Sequence, residues 1–259
     1  MSAHARETVE RDATAPRRIA LFSDVHGNLP ALEAVLADIE MHEVEERWCL
    51  GDLVGYGAQP NECVARVAEV GDRCLTGNHD LVVLGELDVD EFSRNAAAAA
   101  MWTRETVTSE TTDFLAACEP TAVIGEVGLF HASPRDPVWE YVLSALLASD
   151  CMDVMETRIG ALGHSHVPLH FGREDGERAH GEVAPGGTEL DISSGEWLLN
   201  PGAVGQPRDG DPRAAWLLLE TEPWKASWRR VEYPIEQAAA AIETAGLPGM
   251  LAERLYYGQ

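Results

Sequence analysis

The stretch Ile19-Ala20-Leu21-Phe22-Ser23-Asp24-Val25-His26-Gly27-Asn28 runs from four apolar residues straight into a carboxylate and an imidazole two positions apart. The apolar run reads as a buried strand, and Leu32, Val35, Leu36 and Ile39 then recur at helical spacing. The unit is strand, polar loop, helix. It repeats twice. Trp48-Cys49-Leu50 is strand-like and is followed by Gly51-Asp52, by Pro60 where a first helical turn tolerates proline, and by the apolar face of Val64, Val67 and Ala68. Arg73-Cys74-Leu75 opens a third round and leads into Gly77-Asn78-His79-Asp80. Three such units in succession imply a mostly parallel sheet with covering helices.

Beyond them, Glu91 to Cys118 is alanine-rich and helical, parted into two helices near Thr108-Ser109. The second half turns to strands. Thr121–Ile124 and Val127–Phe130 flank Gly125-Glu126 as a hairpin, and Ile159–Leu162 is a short buried run. Gly172–Gly187 is polar and glycine-rich, an exposed loop or hairpin tip. Glu196–Leu199, Ala214–Thr221 and Ala226–Tyr233 are strand-like, and helix returns from about Ile235. The expected architecture is α/β: a β/α half, then a strand-rich half, with helices outside.

Nineteen basic residues face 44 acidic ones, a formal net charge of −25. That balance disfavours a protein that works by neutralising extended nucleic-acid backbone. Lys225 is the sole lysine. Cys49, Cys63, Cys74, Cys118 and Cys151 are odd in number, scattered and never in a Cys-x-x-Cys pair, so neither a disulfide framework nor a thiolate metal site is suggested. A reducing cytoplasm fits. Residues 1–17 are charged and lack the apolar core of a secretory signal, and no run has the length of a membrane span, so the expectation is a flexible N-terminal tail over 1–17 and one domain over 18–259.

Chemistry-bearing residues fall where strands end and loops begin, which is where open α/β sheets place their ligands. Asp24 and His26 follow the first strand, Asp52 the second, and Asn78, His79 and Asp80 the third. His131 follows Val127–Phe130, and Gly163-His164-Ser165-His166 follows Ile159–Leu162. Alone, each piece has an ordinary explanation: Gly-Asp and Asn mark turns and caps, and the two imidazoles of His-Ser-His share a face only on extended backbone. Five such motifs at five strand ends are hard to explain as turns. Carboxylates and imidazoles without thiolate suit two divalent cations, Mn²⁺ first, with Fe, Ni²⁺, Co²⁺ or Zn²⁺ as alternatives. A pair of such ions clamps phosphoryl oxygens and acidifies a water for in-line attack, and a histidine beside them, here His79 with Asp80 orienting its ring, protonates the leaving group.

These blocks resemble the calcineurin-like metallophosphoesterase superfamily, whose ordered motifs are Asp-x-His, Gly-Asp, Gly-Asn-His, a lone His and Gly-His-x-His. The likeness runs from about Arg18 to Gly205 and is strongest to the small stand-alone prokaryotic phosphodiesterases. It is carried by Ser23-Asp24-Val25-His26-Gly27-Asn28, Gly51-Asp52-Leu53-Val54-Gly55-Tyr56-Gly57, His131-Ala132-Ser133-Pro134-Arg135 and the run from Asn200 to Arg208. The resemblance implies a layered α/β sandwich of two central mixed β-sheets flanked by helices. It also implies Asp24, His26 and His166 on a first metal, Asn78, His131 and His164 on a second, Asp52 bridging, and His79 as acid. Gly55-Tyr56-Gly57 stands where protein phosphatases and symmetrical dinucleoside-tetraphosphate hydrolases of the superfamily carry Asp-Arg-Gly, which disfavours those activities. Asp80 stands where those families have Glu.

Arg135 and Arg208 lie just past loops of the site and suit a two-pronged grip on phosphate, against the plainer alternative of surface ion pairs. Tyr56 is suited to stacking on a substrate ring, or to packing. Asn200-Pro201-Gly202 offers close backbone approach or a plain turn. Trp102, Trp139, Trp216 and Trp228 default to core, and Asp88-Val89-Asp90-Glu91 to a solvated or helix-opening run. The leading function is hydrolysis of a small phosphate ester, most simply a diester. The alternative is a non-catalytic interaction scaffold on the same fold. A nuclease would want a basic track the sequence lacks, and no membrane partner is indicated. Homo-oligomerisation through an edge strand or the final helices stays open.

Overall fold

The computed structural model describes residues 17–259; the expected tail lies outside the described residues except for Arg17, whose backbone N–H already donates to Thr221 Oγ1 at 2.8 Å. Strand β1 (Arg18–Phe22) leads to helix α1 (Leu29–Glu40), β2 (Glu46–Cys49) to α2 (Pro60–Val70), and β3 (Arg73–Cys74) to α3 (Asn78–Leu84). Helix α1 starts where the Asn28 side chain accepts from Ala31 N–H, and proline occupies its first turn. A short 3₁₀ turn at Val89–Glu91 precedes α4 (Arg94–Thr106) and α5 (Ser109–Ala116), each opened by a side-chain cap from Ser93 or Thr108. The second half holds the hairpin β4 (Thr121–Ile124) and β5 (Val127–Phe130), then α6 (Ala145–Met152), which the pattern reading missed, and β6 (Ile159–Leu162).

The remaining strands are β7 (Leu169–Arg173), β8 (His180–Val183), β9 (Glu189–Asp191), β10 (Glu196–Asn200), β11 (Ala214–Thr221) and β12 (Trp224–Val231), before α7 (Ile235–Thr244) and α8 (Gly249–Leu255). The polar stretch 172–187 is thus the tip and return strand of the β7–β8 hairpin. Two six-stranded sheets result, ordered β3-β2-β1-β11-β12-β9 and β4-β5-β6-β10-β7-β8. Each is mixed: β1, β2 and β3 run parallel, as do β5, β6 and β10, and the other pairings are antiparallel.

Alternation along β1 explains the layering. Ile19 and Leu21 point into a core shared with Val127, Leu129, Ile159 and Ala161 of the other sheet, whereas Ala20 and Phe22 face α1, α2, α7 and α8. Both faces of the strand are buried, which is why it reads as a continuous apolar run. Helix α6 covers the outer face of the second sheet through Ala148, Cys151 and Met152 against Phe171 and Leu198. The architecture is the layered α/β sandwich of two mixed sheets between helices. Trp216 and Trp228 are core, each with its indole N–H satisfied, by Asp38 and by the Asn200 carbonyl.

Candidate metal centre

Because β1, β2 and β3 are parallel, and β5 and β6 likewise, their C-terminal ends deliver loops to one edge of the sandwich. Asp24 and His26 follow β1, Asp52 follows β2, Asn78 follows β3, His131 follows β5, and His164 and His166 follow β6; all seven are buried. Asp24, His26, Asp52 and His166 each offer one ligand-type atom, all within 4.8 Å of one another, and Asp52, His131 and His164 form a second such group. Asp52 belongs to both. Asn78 Oδ1 extends the second group, 3.2 Å from His131 Nε2.

The backbone is bent to achieve this. Among the described residues seven non-glycine positions have positive φ, and six of them are Asp24, His26, Asp52, Tyr56, His164 and His166. Left-handed backbone costs an L-residue about 1–2 kcal/mol, so the strain is concentrated at this edge. It curls His164-Ser165-His166, so that its two rings serve different groups, as the resemblance implies. The loops are laced together by Asp24 N–H to Gly51 C=O (3.0 Å), His26 N–H to Asp52 C=O (3.0 Å) and Gly205 N–H to Asp24 C=O (2.9 Å). Gly77 has to be glycine, since a Cβ there would collide with the Asp52 carboxylate.

Hydrogen bonds to carbonyls settle which ring nitrogens carry protons, because a carbonyl only accepts. Nδ1–H of His26 donates to Val54 C=O (2.9 Å), that of His166 to Gln206 C=O (2.6 Å) and that of His131 to Leu50 C=O (2.8 Å). In His164 it is Nε2–H that donates, to Trp139 C=O at 3.2 Å. Three rings therefore turn an Nε2 lone pair inward and His164 turns Nδ1. The Nε2 atoms of His26 and His166 are 3.1 Å apart, lone pair to lone pair.

Two carboxylate oxygens complete the picture. Asp24 Oδ1 and Asp52 Oδ2 are buried without any hydrogen-bond partner. Asp24 Oδ1 is 3.3 Å from His166 Nε2, and Asp52 Oδ2 is 3.6 Å from His26 Nε2 and 3.5 Å from His131 Nε2. Their other oxygens accept backbone N–H groups, Asp24 Oδ2 from His164 and Asp52 Oδ1 from His79. Acceptors converging on acceptors is a poor arrangement for a protein alone and a good one for cations. Burial points the same way: it raises the Asp24 pKa to about 7 and that of Asp52 well above the carboxylate range, and it lowers His26 and His166 well below the imidazole range and His164 to about 2. The donor set fits divalent metal ions.

His79 stands beside the groups, its ring 4.8 Å from that of His26 and 4.3 Å from that of Tyr56, and it lines the cavity. Its Nδ1 has no hydrogen-bond partner. Asp80 does not orient that ring, contrary to the expectation. Its carboxylate accepts three backbone N–H groups, from Gly77 (3.0 Å), Val54 (3.1 Å) and Leu53 (3.3 Å), and so pins the loop after β2 to the start of α3. Arg135 is also placed elsewhere, exposed and paired with Asp150 (3.0 Å) and Glu140 (3.6 Å). Arg208 does line the cavity and donates to Tyr56 Oη (3.3 Å) and Gln206 Oε1 (3.1 Å). Tyr56 lines the cavity and packs against the rings of His26 and His79. Asn200 is buried and structural, its amide donating to Gly163 C=O and Ser165 Oγ.

The cavity over the cluster measures about 350 Å³. Phe92, Trp139, Tyr141, Glu91 and Arg254 also line it, and pattern reading singled out none of them for the site. Trp139 carries no mark in sequence beyond core packing, and Asp88–Glu91 reads as a solvated or helix-opening run, Asp88 indeed capping the 3₁₀ turn. The carbonyls of Leu50, Val54, Trp139 and Gln206 were equally unsignalled, because a backbone acceptor leaves no mark in residue identity.

The family model of the calcineurin-like phosphoesterase superfamily domain matches residues 18–223. The chain belongs to that superfamily. It is 37% identical over 246 residues to an uncharacterized protein of Methanocaldococcus jannaschii, an alignment covering 93% of this chain and 98% of the relative. The crystal structure of a metallophosphoesterase from Sphaerobacter thermophilus superposes with a TM-score of 0.85 at 38% identity, covering 95% of this chain and 100% of that one. A hypothetical protein from Pyrococcus horikoshii shares the fold, with a TM-score of 0.76 at 21% identity over 93% of this chain and 98% of the other.

Proposed function

We propose that the chain is a phosphodiesterase that depends on two divalent metal ions and hydrolyses small phosphate esters. The observation that carries this is Asp52 Oδ2, a buried, unpartnered carboxylate oxygen shared by two groups of inward-facing donors. Asp24, His26 and His166 with Asp52 would hold one ion, and Asn78, His131 and His164 with Asp52 the other. Bound there, the ions supply Lewis acidity toward phosphoryl oxygens and acidify a water for attack near neutral pH. Carboxylate and imidazole ligands suit Mn²⁺, with Fe, Ni²⁺, Co²⁺ and Zn²⁺ as further candidates.

The chain's own groups do the remaining work. Carbonyl acceptors fix each imidazole before substrate arrives, so orientation is settled in advance. His79 has Nδ1 against Gly55 and presents the other edge of its ring to the cavity; from Nε2 it delivers a proton to the leaving oxygen. Burial lowers its pKa, and an anionic phosphoryl group beside the ring restores the protonated form. Tyr56 keeps that ring in place from one side and Phe92 from the other. A formal charge of −25 supports small substrates over extended nucleic acid. Five free cysteines support a cytoplasmic site of action, and no helix among the described residues is long and apolar enough to cross a membrane.

The test is hydrolysis of bis-p-nitrophenyl phosphate by metal-stripped protein re-supplied with Mn²⁺, Ni²⁺, Co²⁺ or Zn²⁺, beside His79→Ala. Metal-dependent turnover that drops by roughly 10²–10⁴ in the variant, with metal content unchanged, supports the reading. Two ions bound with no turnover of any phosphate ester favours the non-catalytic scaffold.

A further inference from the structure

Two arginines and one glutamate, Glu91, line the cavity besides the metal-type ligands, in a chain with more than twice as many acidic as basic residues. Arg208, from the loop after β10, and Arg254, from α8, both line it. No Asp or Glu carboxylate among the described residues lies within ion-pair distance of either guanidinium. The two share one cavity wall, and after burial the charge of Arg208 is the largest influence lowering the Arg254 pKa. Arg208 donates only to neutral oxygens, those of Tyr56 and Gln206, so an anionic group in the cavity would supply the charge it lacks.

The arrangement is built. Gly210 N–H donates to Gly258 C=O (2.9 Å), which ties the Arg208 loop to the turn after α8. Arg254 Nε donates to Gln259 C=O (2.5 Å), and Arg208 Nη2 to Tyr56 Oη and Gln206 Oε1. Arg208 also donates its backbone N–H to the His166 carbonyl at 3.2 Å, which joins this wall to the metal-type cluster. Arg254 lies beyond the stretch matched by the family model, so the second charge is supplied by this chain's C-terminal helices.

We infer that Arg208 and Arg254 form a subsite for a second phosphate group, so that the natural substrate is a phosphate ester carrying one. The inference rests on the phosphoesterase reading for the word substrate and on the arginine pair for the subsite. Guanidinium groups grip phosphate oxygens in pairs, and a cavity of about 350 Å³ has room for such a ligand.

Binding of thymidine 3′,5′-bisphosphate and thymidine 5′-monophosphate to the full chain, with and without Mn²⁺, is measured by titration calorimetry for the wild type, Arg254→Gln and Arg254→Lys. The wild type should prefer the bisphosphate at least tenfold, Arg254→Gln should bring the two within about twofold, and Arg254→Lys should keep part of the preference. Equal affinities in the wild type, or a preference that survives Arg254→Gln, would overturn the subsite. Hydrolysis of bis-p-nitrophenyl phosphate by the same samples separates the two readings. Preference without turnover of any phosphate ester, the bisphosphate included, upholds the subsite and sinks the phosphoesterase, and turnover without preference does the reverse.

Discussion

The imidazoles of His26 and His166 face each other with their Nε2 atoms 3.1 Å apart, while their Nδ1–H groups are committed to the carbonyls of Val54 and Gln206. Two lone pairs at that distance need a cation, and burial keeps both rings from supplying it as a proton. Metal binding, proton release and order at this edge are therefore one equilibrium.

The proton comes from the carboxylates. Asp24 has its pKa raised by burial to about 7, so below that pH the metal-free protein holds a proton that an incoming ion must displace. His26, His164 and His166, lowered by burial, do not compete there. Apparent Mn²⁺ affinity should rise by at least about tenfold per pH unit between pH 5 and pH 6, and the gain from Asp24 should level off above about pH 7. Calorimetry in buffers of different ionisation enthalpy would detect the released proton; an affinity flat across this range contradicts the assignment.

Asp80 is a positioning residue. Asp80→Ala leaves the N–H groups of Gly77, Leu53 and Val54 without their acceptor, at about 1–3 kcal/mol for each buried group left unsatisfied. A marked fall in melting temperature together with lost metal affinity is expected. An Asp80→Ala protein that melts like the wild type yet has lost turnover would mean the carboxylate acts on the reaction directly.

Gly55 has φ +85°, and a Cβ there would run into Nδ1 of His79. Gly55→Ala should displace that ring and lower kcat for bis-p-nitrophenyl phosphate at least tenfold while two ions remain bound. Unchanged kcat would remove His79 from proton delivery.

Arg135→Ala should leave kcat/KM within about twofold and stability within ~1 kcal/mol, since its ion pairs are at the surface. Arg208→Ala should lower kcat/KM at least tenfold, because Arg208 lines the cavity and touches Tyr56. Steady-state kinetics on both variants decides; equal effects would contradict the placement.

What pattern reading recovers and what it misses have physical causes. Buried parallel strands are written as apolar runs, so Ile19–Phe22 and Ile159–Leu162 were legible, and the loops they feed placed Asp24, Asp52 and His164 at one edge. The two-residue β3 was equally visible because Asn78 and His79 follow it at once. Direction within the loops was not legible: an extended His164-Ser165-His166 would put both rings on one face, and left-handed backbone at both histidines turns them apart. Asp80 sits next to His79 in sequence, yet its short side chain reaches back to three backbone N–H groups. Arg254 escaped notice because it is forty-six positions beyond Arg208 on a helix with no motif of its own, and only the packing of α8 brings the two together.

The most direct test of the central claim, that Asp52 joins two metal ions in one site, is Mn²⁺ titration of the metal-stripped chain followed by electron paramagnetic resonance. Two ions per chain with an exchange-coupled spectrum is the result expected from an Asp52 oxygen shared by both groups. One ion per chain, or two with the six-line pattern of isolated Mn²⁺, would contradict it.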